Sequence, residues 1–200
     1  MTEIIGIVAL KGGVTKTTTS IFLATYYARQ GKTVELLDLD PQLSAYEWAK
    51  TAEAEGQPLE FETVPVRVGD LPLYRTKADI IIIDTPPGSA KALDAVANMA
   101  DLLVIPTQPS GADVARVWRT YDALPNPEKA RVLITRATLK TVLLREAESA
   151  FEQENIPVLS TRIKERQGIK RSYGLRPPSY LQGYSDVGFE LEEILKEKKK

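Results

Sequence analysis

Between Ala78 and Asp84 the chain carries four consecutive isoleucines, Ile80 to Ile83. A run that is apolar on both faces of the pleat has to be covered on both sides, which makes it a central parallel strand under helices. The rest of the chain supplies the layers. The β-branched run Ile4 to Val8 reads as a strand, Thr17 to Arg29 as a helix stopped by Gly31, and Lys32 to Asp40 as a strand stopped by Pro41. Ser44 to Glu55 is helical in pattern, and a short strand is expected around Leu59 to Val64. Helices at Ala90 to Ala100, Gly111 to Leu124 and Leu139 to Glu154 alternate with strands at Leu102 to Pro106 and Arg131 to Thr135. A short last strand is expected at Pro157 to Ser160, then a loop-rich basic segment to Tyr184, then a helix from Asp186 into Lys198-Lys199-Lys200. Such alternation predicts an α/β fold, a mainly parallel, doubly wound sheet with right-handed crossovers. Residues 1–200 are expected to form one domain that includes the segment 161–200.

Composition narrows the chemistry. The 200 residues contain no cysteine and no histidine, which excludes disulfides, iron–sulfur ligation, thiol nucleophiles and the usual zinc sites. Lysine and arginine number 26 against 27 acidic residues, so any contact with nucleic acid has to come from a local patch. No apolar run approaches a membrane span and no signal peptide precedes the first strand, so a cytoplasmic protein is expected.

In such sheets ligands sit beyond the carboxyl ends of the strands. The first strand runs into Leu10-Lys11-Gly12-Gly13-Val14-Thr15-Lys16-Thr17-Thr18 and then a helix. Strand, glycine-bearing loop, Lys-Thr and helix is the layout of a phosphate cradle, in which backbone N–H groups and the helix N-terminus bind the anion. Lys16 would reach the β- and γ-phosphates and Thr17 would ligate Mg²⁺. The strict motif G-x-x-x-x-G-K-[ST] is not met, because Leu10 and Thr15 stand at its glycine positions; a plain glycine turn is the bland alternative. The second strand ends in Asp38-Leu39-Asp40-Pro41-Gln42 and the isoleucine strand in Asp84-Thr85-Pro86-Pro87-Gly88. Asp84 suits a carboxylate that holds Mg²⁺ through water, or otherwise a helix cap. Asp38 and Asp40 alternate, so both point to one side of a strand. One can support the metal's water shell while the other positions an attacking water; a solvated strand end is the alternative.

The stretch Lys11 to Thr18 resembles the deviant Walker A box, K-G-G-x-G-K-T-T, of the ParA/MinD family of ATPases, with Thr15 as the one real departure. The resemblance implies a P-loop ATPase domain with ATP and Mg²⁺ as cofactors, the nucleotide held by Lys11, Gly12, Gly13, Val14, Thr15, Lys16, Thr17 and Thr18. It implies that Asp40 activates water and Asp38 supports the metal beside Thr17 and Asp84. Lys11 would act catalytically with Lys16, crossing to the nucleotide of a second copy, so that two ATP molecules are sandwiched in an ATP-dependent homodimer. Gly12 and Pro109, in Ile105-Pro106-Thr107-Gln108-Pro109-Ser110, would lie at that interface, and Arg136 would contact adenine.

Between Thr161 and Pro177 lie Arg162, Lys164, Arg166, Lys170, Arg171 and Arg176, opposed only by Glu165. Such a stripe neutralises phosphates without reading bases, so Lys164, Arg166, Lys170, Arg171 and Arg176 are candidates for non-specific double-stranded DNA, with nucleoid association as the consequence. The resemblance, which spans nearly the whole chain, implies the small plasmid-type partition ATPase without an N-terminal helix-turn-helix domain, stimulated by a ParB-like centromere-binding protein. Two alternatives use the same loop. A MinD-like membrane switch would end in a basic amphipathic helix, but Phe189 to Lys196 opens with acidic turns; no membrane is expected and core packing is the expected use of its apolar face. A P-loop kinase or ligase acting on a small molecule is the other.

Overall fold

The computed structural model describes residues 2–198. A six-stranded, wholly parallel sheet has the order β3-β2-β4-β1-β5-β6, with β1 at Glu3–Ile7, β2 at Val34–Asp38, β3 at Glu62–Pro65, β4 at Ile80–Asp84, β5 at Leu102–Thr107 and β6 at Ala130–Ile134. The isoleucine strand β4 lies between β1 and β2 and every residue in it is buried. After β1 the chain moves outward to β2, whereas after β4 it crosses β1 to β5. That reversal puts helices on both faces and opens a crevice above β1.

One face carries α1 (Lys16–Arg29), α2 (Ser44–Ala54) and the last helix, while α3 (Ala90–Met99), α4 (Gly111–Asp122) and α5 (Val142–Gln153) cover the other. Ile80 and Ile82 enter the first core, Ile81 and Ile83 the second, as a period-two strand between two helical layers requires. The helix expected from Leu139 starts only at Val142, because Thr141 takes extended backbone and its hydroxyl accepts from the Leu144 N–H.

The expected last strand at Pro157 to Ser160 is a correction. Only an isolated bridge, Val132 with Val158, links it to the β6 edge. Pro157 has no N–H to donate, and the amides of Ser160 and Thr161 are taken by the Glu190 carboxylate, so no further ladder forms. The basic segment then contains a short helix, α6 (Gln167–Lys170), before α7 (Tyr184–Glu197), which begins two residues earlier than expected. Val187, Leu191 and Leu195 of α7 are buried in the core around α1, as core packing of its apolar face required. The helices approach closely at Gly188, where a Cβ would lie 2.2 Å from Tyr26 Cδ1. Lys199 and Lys200 of the expected lysine tail lie outside the described residues.

Candidate active site

The loop after β1 ends at Thr15, which takes left-handed backbone (φ 66°) directly before Lys16 opens α1. Gly13 is also left-handed at φ 78°, whereas Thr15 adopts this conformation with a β-branched side chain. Its hydroxyl shares one proton between the Val14 carbonyl at 2.6 Å and the Thr135 hydroxyl at 3.0 Å, and Thr135 in turn donates to the Thr107 carbonyl at 2.9 Å. Gln108 Nε2 donates to the Gly13 carbonyl at 3.2 Å, and the Leu10 N–H to Thr120 Oγ1 at 3.3 Å. The loop is thus tied to the ends of β5 and β6 and to α4. The backbone N–H groups of Lys11 to Thr15 have no hydrogen-bond partner among the described residues. Together with the first N–H groups of α1 they form an open anion nest.

Beneath the nest, Lys16 Nζ donates to the Lys11 carbonyl at 3.0 Å. Burial lowers the Lys16 pKa, and the charges of Asp84 and Asp40 pull it back upward. Asp84 lies on the neighbouring strand, opposite Asp38 in the register of β2 and β4. Burial pushes the Asp84 carboxyl up to about 7, opposed by a Thr17 hydroxyl contact and by Lys16. Ser20 Oγ donates to its Oδ1 at 3.2 Å, while Oδ2 is buried with no partner. An orphaned, desolvated carboxylate oxygen beside a threonine hydroxyl fits a divalent cation. Among the described residues no group of three or more acidic residues could hold a metal on its own. That suits Mg²⁺ completed by phosphate and water.

Asp38, the register partner of Asp84, also bonds to the backbone that follows it. Its Oδ1 accepts the Asp40 N–H at 3.0 Å and its Oδ2 the N–H groups of Ala45 and Tyr46 at 2.9 and 3.0 Å. Oδ2 therefore holds the start of α2, whose own N-cap, Leu43, makes no side-chain capping bond, while Oδ1 fixes the turn at Asp40. Asp40 lies beyond the end of β2, so the two carboxylates do not alternate along one strand. Its Oδ1 accepts the Gln42 N–H at 2.9 Å, its carbonyl accepts the Leu43 N–H at 2.8 Å, and its other oxygen is free.

Lys11 reaches away from the nest to α4, where Nζ lies 2.8 Å from Asp113 Oδ1. Asp113 was not singled out in the sequence, although Ser110-Gly111-Ala112-Asp113 has capping-box spacing and Ser110 does accept the Asp113 N–H. Gly12 faces Pro87, whose Cβ would be 3.7 Å from an added Cβ, and Pro109 is half-buried beside Gln108.

Next to Thr15 and Thr18 opens a cavity of about 270 Å³, also lined by Trp48, Arg136, Lys164 and Tyr173. It places Arg136, left-handed at φ 49°, beside the nest. It also divides the basic stripe. Lys164, Arg166 and Lys170 line this cavity, Lys170 and Arg136 both pair with Glu165, and Arg176 donates to the Pro58 carbonyl at 2.9 Å instead. Arg171 is exposed, with no side-chain ion pair or hydrogen bond among the described residues.

A model of the CobQ/CobB/MinD/ParA nucleotide binding domain matches residues 5–175. The chain belongs to that family. It is 34% identical over 175 residues to "Maintenance of carboxysome distribution protein A" of Gloeobacter kilaueensis, covering 85% of this chain and 80% of the relative. It is 36% identical over 129 residues to "Chromosome-partitioning ATPase Soj" of Thermus thermophilus, covering 49% of this chain and 51% of the relative. The structure of pNOB8 ParA bound to nonspecific DNA matches the fold with a TM-score of 0.71 at 18% identity, covering 98% of this chain and 99% of that one. The chain is therefore a ParA/MinD-type ATPase, and the nest over Lys16 is the candidate for its nucleotide site. Side chains at the site to which sequence reasoning gave no role are Ser20 on α1, Asp113 on α4, and Gln108 and Thr135 just past the ends of β5 and β6. Only Asp113 carried a local signal.

Proposed function

We propose that the chain is a Mg-ATP-dependent, dimerising ATPase that works as a DNA partition switch. The observation that carries this reading is the buried, unpartnered Asp84 oxygen beside Thr17 and Lys16, under a loop of free N–H groups. ATP phosphates would fill the nest and be neutralised by Lys16, and Thr17 and Asp84 would hold Mg²⁺, whose chemistry would be charge shielding of the phosphoryl group. Asp40 orients the attacking water through its free oxygen. Asp38 acts on the reaction by fixing the backbone of Asp40 and α2. The adenine and ribose occupy the cavity by Arg136. Lys11 crosses to the γ-phosphate of a second copy, with Gly12 and Pro109 at the contact, so dimers form with ATP and part after hydrolysis. The paired basic segments then bind duplex DNA without reading sequence, and avidity makes that binding ATP-dependent. The carboxysome-distribution and chromosome-partitioning relatives support a distributing switch; a ParB-like, cargo-bound partner would stimulate it. Burial of Val187, Leu191 and Leu195, which leaves Phe189 as the exposed large apolar residue of α7, argues against the MinD-like membrane reading.

The test is sedimentation and ATP turnover with plain duplex DNA and with anionic vesicles. An Asp40→Ala protein should form stable dimers with Mg-ATP, bind DNA and hydrolyse slowly, and Lys16→Ala should lose nucleotide binding. A protein that stays monomeric at saturating Mg-ATP, or that binds vesicles but not DNA, overturns the proposal.

A further inference from the structure

Resting on the sandwich-dimer reading above, we propose that Asp113 is a positioning residue that holds Lys11 within its own subunit and must give it up for the dimer to close. The Lys11–Asp113 contact would thereby set how much protein and nucleotide dimerisation requires. The Lys11 side chain reaches from the loop to α4, and its ammonium lies 2.8 Å from a carboxylate that is only 7% exposed. The contact is built rather than incidental. Asp113 sits in the first turn of α4, where the helix N-terminus favours a negative charge. Its second oxygen accepts the Ser110 hydroxyl at 2.7 Å, and Arg116 Nη1 lies 3.3 Å from the first. Burial alone raises the carboxyl pKa, but the Lys11 and Ser110 hydrogen bonds and the Lys11 and Arg116 charges outweigh it, leaving the pKa below the usual carboxylate range.

The same geometry makes the contact releasable. A buried carboxylate that loses its only cation is left with a large desolvation penalty. Asp113 would keep Ser110, Arg116 and the helix N-terminus after Lys11 leaves. Lys11 itself is 37% exposed, so it can exchange one anionic partner for another without crossing apolar core. Arg116 therefore favours release, because it is the cation that remains.

Two substitutions should act in opposite directions. Asp113→Asn removes the counter-charge but keeps the shape, and should lower the protomer concentration at half-dimer by about ten-fold, the worth of two partly exposed ion pairs, one in each subunit. Arg116→Ala should raise it, since Asp113 then depends more on Lys11. The measurement is sedimentation velocity across protein concentrations with Mg²⁺ and a non-hydrolysable ATP analogue. In a Lys11→Ala background both shifts should vanish, and Asp113→Glu should restore the parent value; a change of fold alone would do neither. If Asp113→Asn does not fold, Arg116→Ala alone decides. Unchanged dimerisation, shifts of the same sign, or shifts that persist without Lys11 overturn the inference. A parent protein that never dimerises with the analogue overturns the sandwich reading itself, along with what rests on it.

Discussion

Thr15 concentrates the tension between sequence and structure into one residue. The backbone there is the one a glycine adopts freely, yet the side chain is β-branched and its hydroxyl links the loop to Thr135. A non-glycine residue in left-handed backbone costs roughly 1–3 kcal/mol, offset here by the hydroxyl contacts. Thr15→Gly removes the strain but frees the unfolded chain, so its stability should stay within about 1 kcal/mol of the parent. Thr15→Val keeps the strain, loses the hydroxyl, and should cost about 2 kcal/mol; urea unfolding without nucleotide ranks the two. Asp84 offers a test by pH. Its carboxyl lies at about 7 in the fold against an ordinary 3.8, so between those values the folded chain binds the proton more tightly than the unfolded one. Stability should therefore fall as pH rises through that window and level off above it. Asp84→Asn removes the dependence, so the nucleotide-free variant should match the parent near its acid limit and exceed it by about 2 kcal/mol at about pH 8. Mg-ATP should then raise the parent's melting temperature more than the variant's.

At the level of elements, periodicity and punctuation revealed most of what formed. Every named strand before the C-terminal segment was legible, because the central strands read as apolar runs, while β2 and β4 end in a carboxylate and β3 in proline. Pro157 to Ser160 failed for a reason no local pattern carries, since Glu190, thirty residues away from Ser160, takes the amide. The site divides in the same way. Lys16, Thr17, Asp40 and Asp84 were legible because strand ends are where such folds place chemistry. The backbone bonds of Asp38 to Ala45 and Tyr46 were not legible, because they become visible only when α2 is seen to lack a capping oxygen of its own. The seam between α1 and α7 is equally invisible in sequence and is sharply testable. Gly188→Ala drives a methyl against the Tyr26 ring and should destabilise by about 2–3 kcal/mol, read as a lower urea midpoint.

For the whole molecule, the division of the basic segment separates two binding functions. Arg171 faces solvent away from any pairing, so Arg171→Glu should reduce the slope of log DNA affinity against log salt by about one per subunit and leave nucleotide affinity unchanged. Lys164 lines the cavity, so Lys164→Glu should weaken both DNA and nucleotide binding. Filter binding at several salt concentrations, paired with nucleotide titration, distinguishes the two. A final consequence follows from how Asp40 is held. Its amide is fastened to Asp38, its carbonyl to Leu43 and one carboxylate oxygen to Gln42. A residue moored at three points has no stroke of its own. On the proposed reading, acceleration by an outside protein would have to come from what faces Asp40 in the second copy, so that the subunit's clock would be read internally but wound from elsewhere.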